Sequence, residues 1–237
     1  MSVEVLILLV FFLGLLVINT PVAVCIGLAA TATILSFGDG SAAYVMAQRT
    51  SAGIASFPLL AIPFFVLAGV LMGEGGMARR LTNFAAALVG RLPGGLAFVN
   101  TLACMLFGAV SGSAAAAVSS IGSSLIPEME RKGYTREFAV ALTATSATTG
   151  LLIPPSNIMI VYAVVAGNVS VAALFLAGVM PGIVVGLLIM AVSLGLTLRS
   201  GAMRAGGVQI ELPSVGAALW GAVPSLLLVI LVLGGIL

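Results

Sequence analysis

Long apolar runs follow one another along this chain, and short polar or charged clusters separate them. Seven or eight runs are apolar enough to lie in a lipid bilayer, so the pattern predicts an all-α, polytopic membrane protein. A composition of 61% hydrophobic and 7% charged residues, with a mean hydropathy of +1.30, argues against a sizeable soluble domain. The predicted helical stretches are residues 3–18, 21–37, 42–57, 58–73, 92–127, 134–167, 171–198 and 214–237.

Two segments are more polar than the rest. Residues 42–57 include Arg49 and are predicted to form an interfacial helix. In the segment 74–91, charged and apolar residues alternate at helical spacing. An amphipathic helix of this kind lies best in the membrane surface, with its apolar side toward lipid. We therefore expect a surface helix at 74–91 rather than a crossing.

The stretch 92–127 contains no charge over 36 residues. A single helix of that length would extend about 54 Å at 1.5 Å per residue, which is far more than a bilayer needs. Its middle reads Ser111-Gly112-Ser113, three residues that favour turns over helix. We therefore predict a helical hairpin over 92–130 with its tip at these three residues, and we favour a re-entrant hairpin over two full crossings.

The distribution of basic residues supports an even number of crossings between 92 and 127. An even number places eight of the nine Lys and Arg residues on one side, and the positive-inside rule makes that side cytoplasmic. The same count places the N-terminus outside the cell and leaves Arg49 alone there. The eight residues are Arg79, Arg80, Arg91, Arg131, Lys132, Arg136, Arg199 and Arg204.

Adjacent prolines interrupt the apolar segment 134–167. Pro154 and Pro155 cannot both be accommodated in a regular helix, because each lacks an N–H and clashes with a preceding carbonyl. Open backbone at membrane depth is tolerated where protein buries it or where it lines a polar cavity. A helix broken in this way is how many secondary transporters build an ion or substrate site, so the break favours a transport function.

The side-chain inventory excludes most enzyme chemistry. The chain has no histidine and a single lysine, Lys132, and its acidic residues lie in or beside non-membrane segments. Proteolytic, zinc-dependent and nucleotide-hydrolysing sites therefore cannot be assembled, and no cofactor or nucleic-acid partner is expected. Missing intramembrane carboxylates also favour a metal cation over a proton as the coupling ion. Na⁺ prefers hard oxygens such as freed carbonyls, and helix N-termini attract anions such as a carboxylate substrate.

Hydroxyl residues are dense around the two interruptions. Each one is about as well explained by close helix packing as by a role in binding. The GxxxG patterns at Gly69–Gly73, Gly108–Gly112 and Gly182–Gly186 are better explained by packing within the chain than by a dimer interface. The hydroxyl residues are Ser119, Ser120, Ser123, Ser124, Thr143, Thr145, Ser146, Thr148 and Thr149.

Six segments together resemble the large membrane subunit of TRAP transporters, the DctM family. They follow the family's order over nearly the whole chain, so a chance match is not a serious competitor. The segments are SFPLLAIPFFVLAGVLM at 56–72, GGMARRL at 75–81, GGLAFVNTLACMLFGAVSGSAAAA at 94–117, IPEMERKGY at 126–134, TGLLIPPSNIMIVY at 149–162 and ALFLAGVMPGI at 173–183.

The resemblance implies a tripartite, Na⁺-dependent importer of organic acids in the cytoplasmic (inner) membrane. Its implied partners are a small four-helix membrane subunit and an extracytoplasmic substrate-binding protein, and its mechanism is an elevator of inverted repeats moving against a scaffold. Dicarboxylates, sugar acids and sialic acid are all possible substrates. Many family members carry an acidic residue shortly after the hairpin tip, where this chain has Ala117.

Carried over by position, the resemblance places the ion and substrate site at the hairpin tip and at the helix break. Na⁺ is expected to bind through backbone carbonyls near the three tip residues and Pro154. The implied site residues are Ser111, Gly112, Ser113, Ile153, Pro154, Pro155, Ser156 and Asn157.

The resemblance also implies a division of the chain. Residues 1–91 correspond to scaffold helices and a surface arm helix, 92–170 to the first half of the transport domain, and 171–237 to further transmembrane helices. Family members are roughly twice as long and contain a second, inverted repeat. We therefore expect the chain to hold one repeat of two, as a fragment, a truncated reading frame or half of a split subunit.

Two other functions remain open from the sequence. One is a Na⁺–anion symporter of another family with the same hairpin and broken-helix plan. The other is a non-transporting scaffold or assembly component, which the single repeat makes plausible.

Overall fold

The structure, a computed structural model, describes residues 3–37, 41–200 and 214–236. Over these residues it is helical, with no strand. Eleven helices are described: α1 Val3–Val17, α2 Val22–Ser36, α3 Ala42–Ile54, α4 Phe57–Glu74, α5 Met77–Val89, α6 Gly95–Ser111, α7 Ala114–Arg131, α8 Arg136–Thr149, α9 Asn157–Ala166, α10 Val171–Ser200 and α11 Val215–Ile236.

The contacts divide the chain into two compact units, Met1–Phe57 and Pro58–Leu237. In the first unit, α1 and α2 pack together, and a short turn with Asn19 in the left-handed region connects them. The second unit contains α4 to α11. The predicted division of the chain at residues 91 and 170 stays a prediction.

Helix α6 is the centre of the second unit, because α5, α7, α8, α10 and α11 all pack against it. Nearly every residue of α6 is buried, because other helices surround it. Phe107 of α6, Leu81 of α5 and Ile121 of α7 are fully buried in one apolar core.

The amphipathic segment 74–91 forms α5, but protein covers its apolar side. Leu81 and Ala85 are fully buried, and α5 packs on α6 and α11. Its charged residues Arg79 and Arg80 are exposed. The apolar residues of the amphipathic pattern therefore pack within the chain. Whether α5 also lies in the membrane surface stays a prediction.

The surface of the described helices is strongly apolar. On α10, Met180, Leu187 and Val192 are 72%, 59% and 61% exposed. Apolar side chains exposed along whole helices are expected against lipid rather than water. By length and composition, one described helix is long enough to cross a bilayer by itself, namely Val171–Arg199 within α10, or up to two if a bent consecutive pair counts as one span.

Several other apolar helices are shorter than a bilayer crossing. Val3–Val17, Val22–Ser36, Gly95–Ser111 and Asn157–Ala166 each have at most 17 residues. In the second unit this shortness has a local cause: the turn after Ser111 and the prolines after Thr149 divide long apolar stretches into pieces. The predicted all-α membrane fold is thus consistent with the structure, while the number of crossings stays a prediction.

Candidate functional site

The hairpin tip is a two-residue turn between α6 and α7. Gly112 ends α6 with φ +62°, and its N–H donates to the carbonyl of Gly108 at 2.8 Å. Ser113 begins α7, and its hydroxyl accepts the N–H of Ala116 at 3.2 Å. A residue with a side chain rarely adopts the φ of Gly112, which explains why a glycine stands at the apex. The sequence prediction of a turn at these residues is therefore confirmed, while re-entrance stays a prediction.

The helix break spans residues 150–156, between α8 and α9. The Pro154–Pro155 peptide bond is cis, and both prolines are buried. Ser156 then begins α9, where its buried hydroxyl accepts the N–H of Met159 at 3.5 Å. The two prolines thus end one helix, and Ser156 starts the next by capping it.

The tip and the break lie against each other. A Cβ atom placed on Gly112 would be 3.2 Å from Nδ2 of Asn157, the first residue of α9. One turn earlier on α6, a Cβ on Gly108 would be 2.7 Å from Cα of Gly150. Glycine at 108 and 150 thus lets two backbones approach more closely than side chains allow. We call this region, residues 108–113 with 150–157, the tip–break junction.

Four helix ends meet at the tip–break junction. The C-termini of α6 and α8 bring carbonyls that lack partners within their helices, and the N-termini of α7 and α9 bring N–H groups. Carbonyl-rich helix ends attract cations, and N-termini attract anions. The junction residues carry no ionisable side chain. Oδ1 of Asn157 is buried there without a hydrogen-bond partner in the described part of the chain.

Two glycine-bearing helices support the junction from outside. On α10, a Cβ on Gly178 would be 2.5 Å from the carbonyl oxygen of Leu152, and one on Gly182 would be 2.6 Å from Cγ1 of Ile153. On α4, a Cβ on Gly69 would be 3.2 Å from the carbonyl oxygen of Ser111. The packing role predicted for these GxxxG patterns is therefore confirmed at Gly69 and Gly182. The overlapping pattern Gly178–Gly182 carries the same sequence signal, and Gly178 packs against the break as closely as Gly182 does.

Buried hydrogen bonds join α6 to α8 below the junction. The hydroxyl of Thr143 lies 3.3 Å from Oδ1 of Asn100 and 2.7 Å from the carbonyl oxygen of Ala139. The hydroxyl of Ser146 donates to that of Thr101 at 3.1 Å. All four polar side chains are fully buried. Sequence reasoning noted the hydroxyls of α8 but missed Asn100 and Thr101, whose partners are more than 40 positions away.

Most of the other hydroxyls do not reach across helices. They donate to carbonyls three or four residues earlier in their own helix, so packing rather than binding accounts for them. These bonds are made by Ser123, Ser124, Thr145, Thr148 and Thr149. The resemblance implies an acidic residue in many family members where this chain has Ala117. Here Ala117 is fully buried in the apolar core.

The structure brings only part of the predicted site together. Gly112 and Asn157 are in contact, and Ser111 and Ser113 flank them. Ile153 instead packs against Gly182 of α10, and Ser156 is occupied in capping α9. Whether these residues bind an ion or a substrate stays a prediction.

Comparison with known proteins identifies relatives over nearly the whole chain. Uncharacterized protein YgiK of Salmonella typhimurium is 45% identical over 227 residues, 95% of this chain and 52% of its own length. The isethionate TRAP transporter permease protein DctMQ of Oleidesulfovibrio alaskensis is 42% identical over 95% of this chain and 35% of its own length. The C4-dicarboxylate TRAP transporter large permease protein DctM of Vibrio cholerae is 41% identical over 97% of this chain and 50% of its own length.

The chain therefore spans about half, or less, of the length of these curated relatives. The family described as "Tripartite ATP-independent periplasmic transporter, DctM component" matches residues 9–237. The resemblance found in the sequence is thus confirmed, and the expectation of a transporter family rather than an enzyme family is confirmed with it. A match of this extent shows that the chain belongs to the DctM family of tripartite ATP-independent periplasmic transporters.

Proposed function

We propose that the chain is part of the large membrane subunit of a Na⁺-coupled importer of organic acids. In this proposal it crosses the inner membrane several times, with its N-terminus outside. It works with a small four-helix membrane subunit and an extracytoplasmic substrate-binding protein, as the tripartite family description suggests. Two relatives are named for isethionate and C4-dicarboxylates, both organic acids, which supports that substrate class.

The tip–break junction carries the proposal. It joins the carbonyl-bearing ends of α6 and α8 with the buried, unpartnered Oδ1 of Asn157, at a place without ionisable side chains. Neutral oxygens in protected surroundings suit a monovalent cation, because a bound Na⁺ replaces water with fixed oxygen ligands. The N-termini of α7 and α9 are suited to hold the carboxylate of a substrate beside it.

Backbone carbonyls near Ser111, Gly112, Ser113 and Pro154 are the proposed Na⁺ ligands. Replacing both prolines, as in Pro154→Ala/Pro155→Ala, allows α8 and α9 to join and engages the carbonyls of the break, that of residue 154 among them, in helix hydrogen bonds. Ser111→Ala removes at most one side-chain oxygen. We expect the double variant to raise the Na⁺ concentration for half-maximal effect at least tenfold, and Ser111→Ala to raise it much less.

The measurement is a Na⁺ titration of the thermal melting of the purified chain in lipid nanodiscs, with K⁺ replacing Na⁺ at constant ionic strength. Pro224→Ala is the matched control, since Pro224 lies within α11, away from the junction residues. If the double variant kept the wild-type Na⁺ dependence while only its melting temperature fell, the prolines would serve packing alone and the proposed ion site would be wrong.

A further inference from the structure

Two adjacent arginines stand in the first turn of α5 without an acidic partner. Arg79 and Arg80 are exposed, and in the described part of the chain neither forms an ion pair. Helix α5 does not favour them at this place, because the N-terminal end of a helix is positive and stabilises acidic rather than basic side chains. Its first turn contains no acidic residue. The reason for two arginines here therefore lies outside the helix itself.

The two arginines lie partway along the hairpin rather than at its ends. Helices α5 and α6 run antiparallel, because the short connection 90–94 joins two helices that pack together. Arg80 lies about 14 Å along α5 from Val89, whereas α6 is about 24 Å long, so the arginines are about 10 Å from the level of the hairpin tip. Gly73, shortly before α5, is at a similar level, because a Cβ on it would be 3.8 Å from Oγ of Ser120, which lies about 10 Å along α7 from the tip.

The neighbouring helices supply no counter-charge at this level. Helices α6 and α11, which pack against α5, contain no charged residue. Helix α7 also contacts α5, but its acidic residues Glu128 and Glu130 lie about 21 Å or more along α7 from the tip. Glu74, at the end of α4, is close in sequence and can offset only one of the two charges. At least one positive charge is therefore left uncompensated by the described part of the chain.

Helix lengths place the arginines near a boundary of the hydrocarbon. The connection 167–170 between α9 and α10 is exposed, and in the predicted topology it lies at the outer boundary. From there to the tip–break junction α9 spans about 14 Å, and α10 spans about 17 Å from Val171 to Gly182, which packs on Ile153. The junction is then about 15 Å deep in a hydrocarbon core of about 30 Å. The arginines, about 10 Å closer to the cytoplasm, lie within about 5 Å of the cytoplasmic boundary, which a long arginine side chain can reach.

We propose that Arg79 and Arg80 bind the phosphate groups of anionic phospholipids in the cytoplasmic leaflet. This contact rests on the proposed placement of the chain in the inner membrane and is independent of the Na⁺ site. A guanidinium group pairs with phosphate through two N–H donors, and the negative surface of the cytoplasmic leaflet attracts basic residues. A zwitterionic lipid has no net charge to compensate the arginines, whereas an anionic lipid has one. Because protein buries the apolar side of α5, its arginine-bearing side is the one left for lipid.

The test compares photoreactive lipids of different charge. The chain is reconstituted in nanodiscs with phosphatidylglycerol or phosphatidylcholine probes that carry the same diazirine at the headgroup end of an acyl chain, and adducts are located by peptide mass spectrometry. Both leaflets of a nanodisc have the same composition, so the orientation of the chain does not affect the result. We expect the phosphatidylglycerol probe to label 77–84 at least about fivefold more than the phosphatidylcholine probe, the factor expected for one basic residue near an anionic surface.

Charge removal tests the two arginines directly. Arg79→Gln/Arg80→Gln should abolish the preference for phosphatidylglycerol, and Arg79→Lys/Arg80→Lys should keep most of it, because the charge is retained. Arg91→Gln is the matched control, since Arg91 lies beyond the C-terminus of α5, and it should leave labelling at 77–84 unchanged. The Na⁺ dependence of melting should not change in any of these variants, which separates the lipid contact from the ion site.

Three outcomes would overturn the proposal. One is equal labelling of 77–84 by the two probes, and another is a preference that survives the removal of both arginines. The third is the absence of any lipid adduct at 77–84, which would indicate that protein rather than lipid covers this side of α5.

Discussion

Glycine residues set how closely the backbones of the candidate site approach one another. Gly108 and Gly150 place α6 against the end of α8, and Gly112 turns the chain at a positive φ beside Asn157. Other glycines of the chain, including Gly195 on α10, have nothing near the position of a Cβ. Abundance of glycine therefore says little, and the location of each one decides what it does.

Gly108→Ala should destabilise the protein, while Gly195→Ala should not. A methyl group at 108 would lie 2.7 Å from backbone of Gly150, which cannot move aside as a side chain can. Overpacking of this kind costs about 1 to 3 kcal/mol, whereas alanine in an open helical position is neutral or gains up to about 1 kcal/mol. Thermal melting of the two variants in the same lipid measures the difference. Equal melting temperatures would contradict the close approach of α6 and α8.

At the scale of elements, α6 and α8 form the frame that holds the tip against the break. The two helices run parallel: Asn100 contacts Thr143, Thr101 contacts Ser146, and Gly108 contacts Gly150. The next contact in this series joins Gly112 to Asn157. Polar bonds at one end and glycines at the other thus fix the register that creates the tip–break junction.

Thr143→Val should destabilise the protein more than Thr145→Val. Valine at 143 keeps the shape but leaves the fully buried Asn100 without its partner across the interface, which costs about 1 to 2 kcal/mol. Thr145 donates only within its own helix and is exposed, so its replacement should change stability by less than about 0.5 kcal/mol. Unfolding measured in mixed micelles compares the two. A larger loss at 145 would show that the α6–α8 bonds do not hold the interface.

Much of this arrangement could be predicted from the sequence, because its causes are local. Ser111-Gly112-Ser113 interrupts an uncharged stretch that is too long for one crossing, and Pro154-Pro155 interrupts the next. Helices α6 to α9 accordingly begin and end close to the predicted positions. The contact between Gly112 and Asn157 could not be predicted from these residues alone. It depends on Asn100, Thr101 and several glycines whose partners are distant in sequence.

At the scale of the whole chain, the structure shows which surfaces are apolar. Apolar side chains are exposed along α10, and basic residues such as Arg91 and Arg131 lie at the ends of helices remote from the hairpin tip. The positive-inside rule then predicts that both arginines lie on the cytoplasmic side. A re-entrant hairpin and two full crossings differ in how deep the tip lies in the bilayer. A labelling experiment distinguishes these two topologies.

Single cysteines at Arg91, Gly112 and Arg131 test the re-entrant hairpin. The native Cys25 and Cys104 are buried, and replacing both with alanine gives a background without reactive thiols. A membrane-impermeant thiol reagent should label Arg91→Cys and Arg131→Cys from the cytoplasmic side only, because both lie beyond the arms of the hairpin. Gly112→Cys should react slowly from either side, since the tip is buried against Asn157 and lies at membrane depth in a re-entrant hairpin.

Helices of 17 and 18 residues are long enough for two full crossings, so the alternative is physically reasonable. Rapid labelling of Gly112→Cys from outside, at the rate of a free thiol, would replace the hairpin with two crossings, while labelling of Arg91→Cys and Arg131→Cys from opposite sides would overturn the even number of crossings itself.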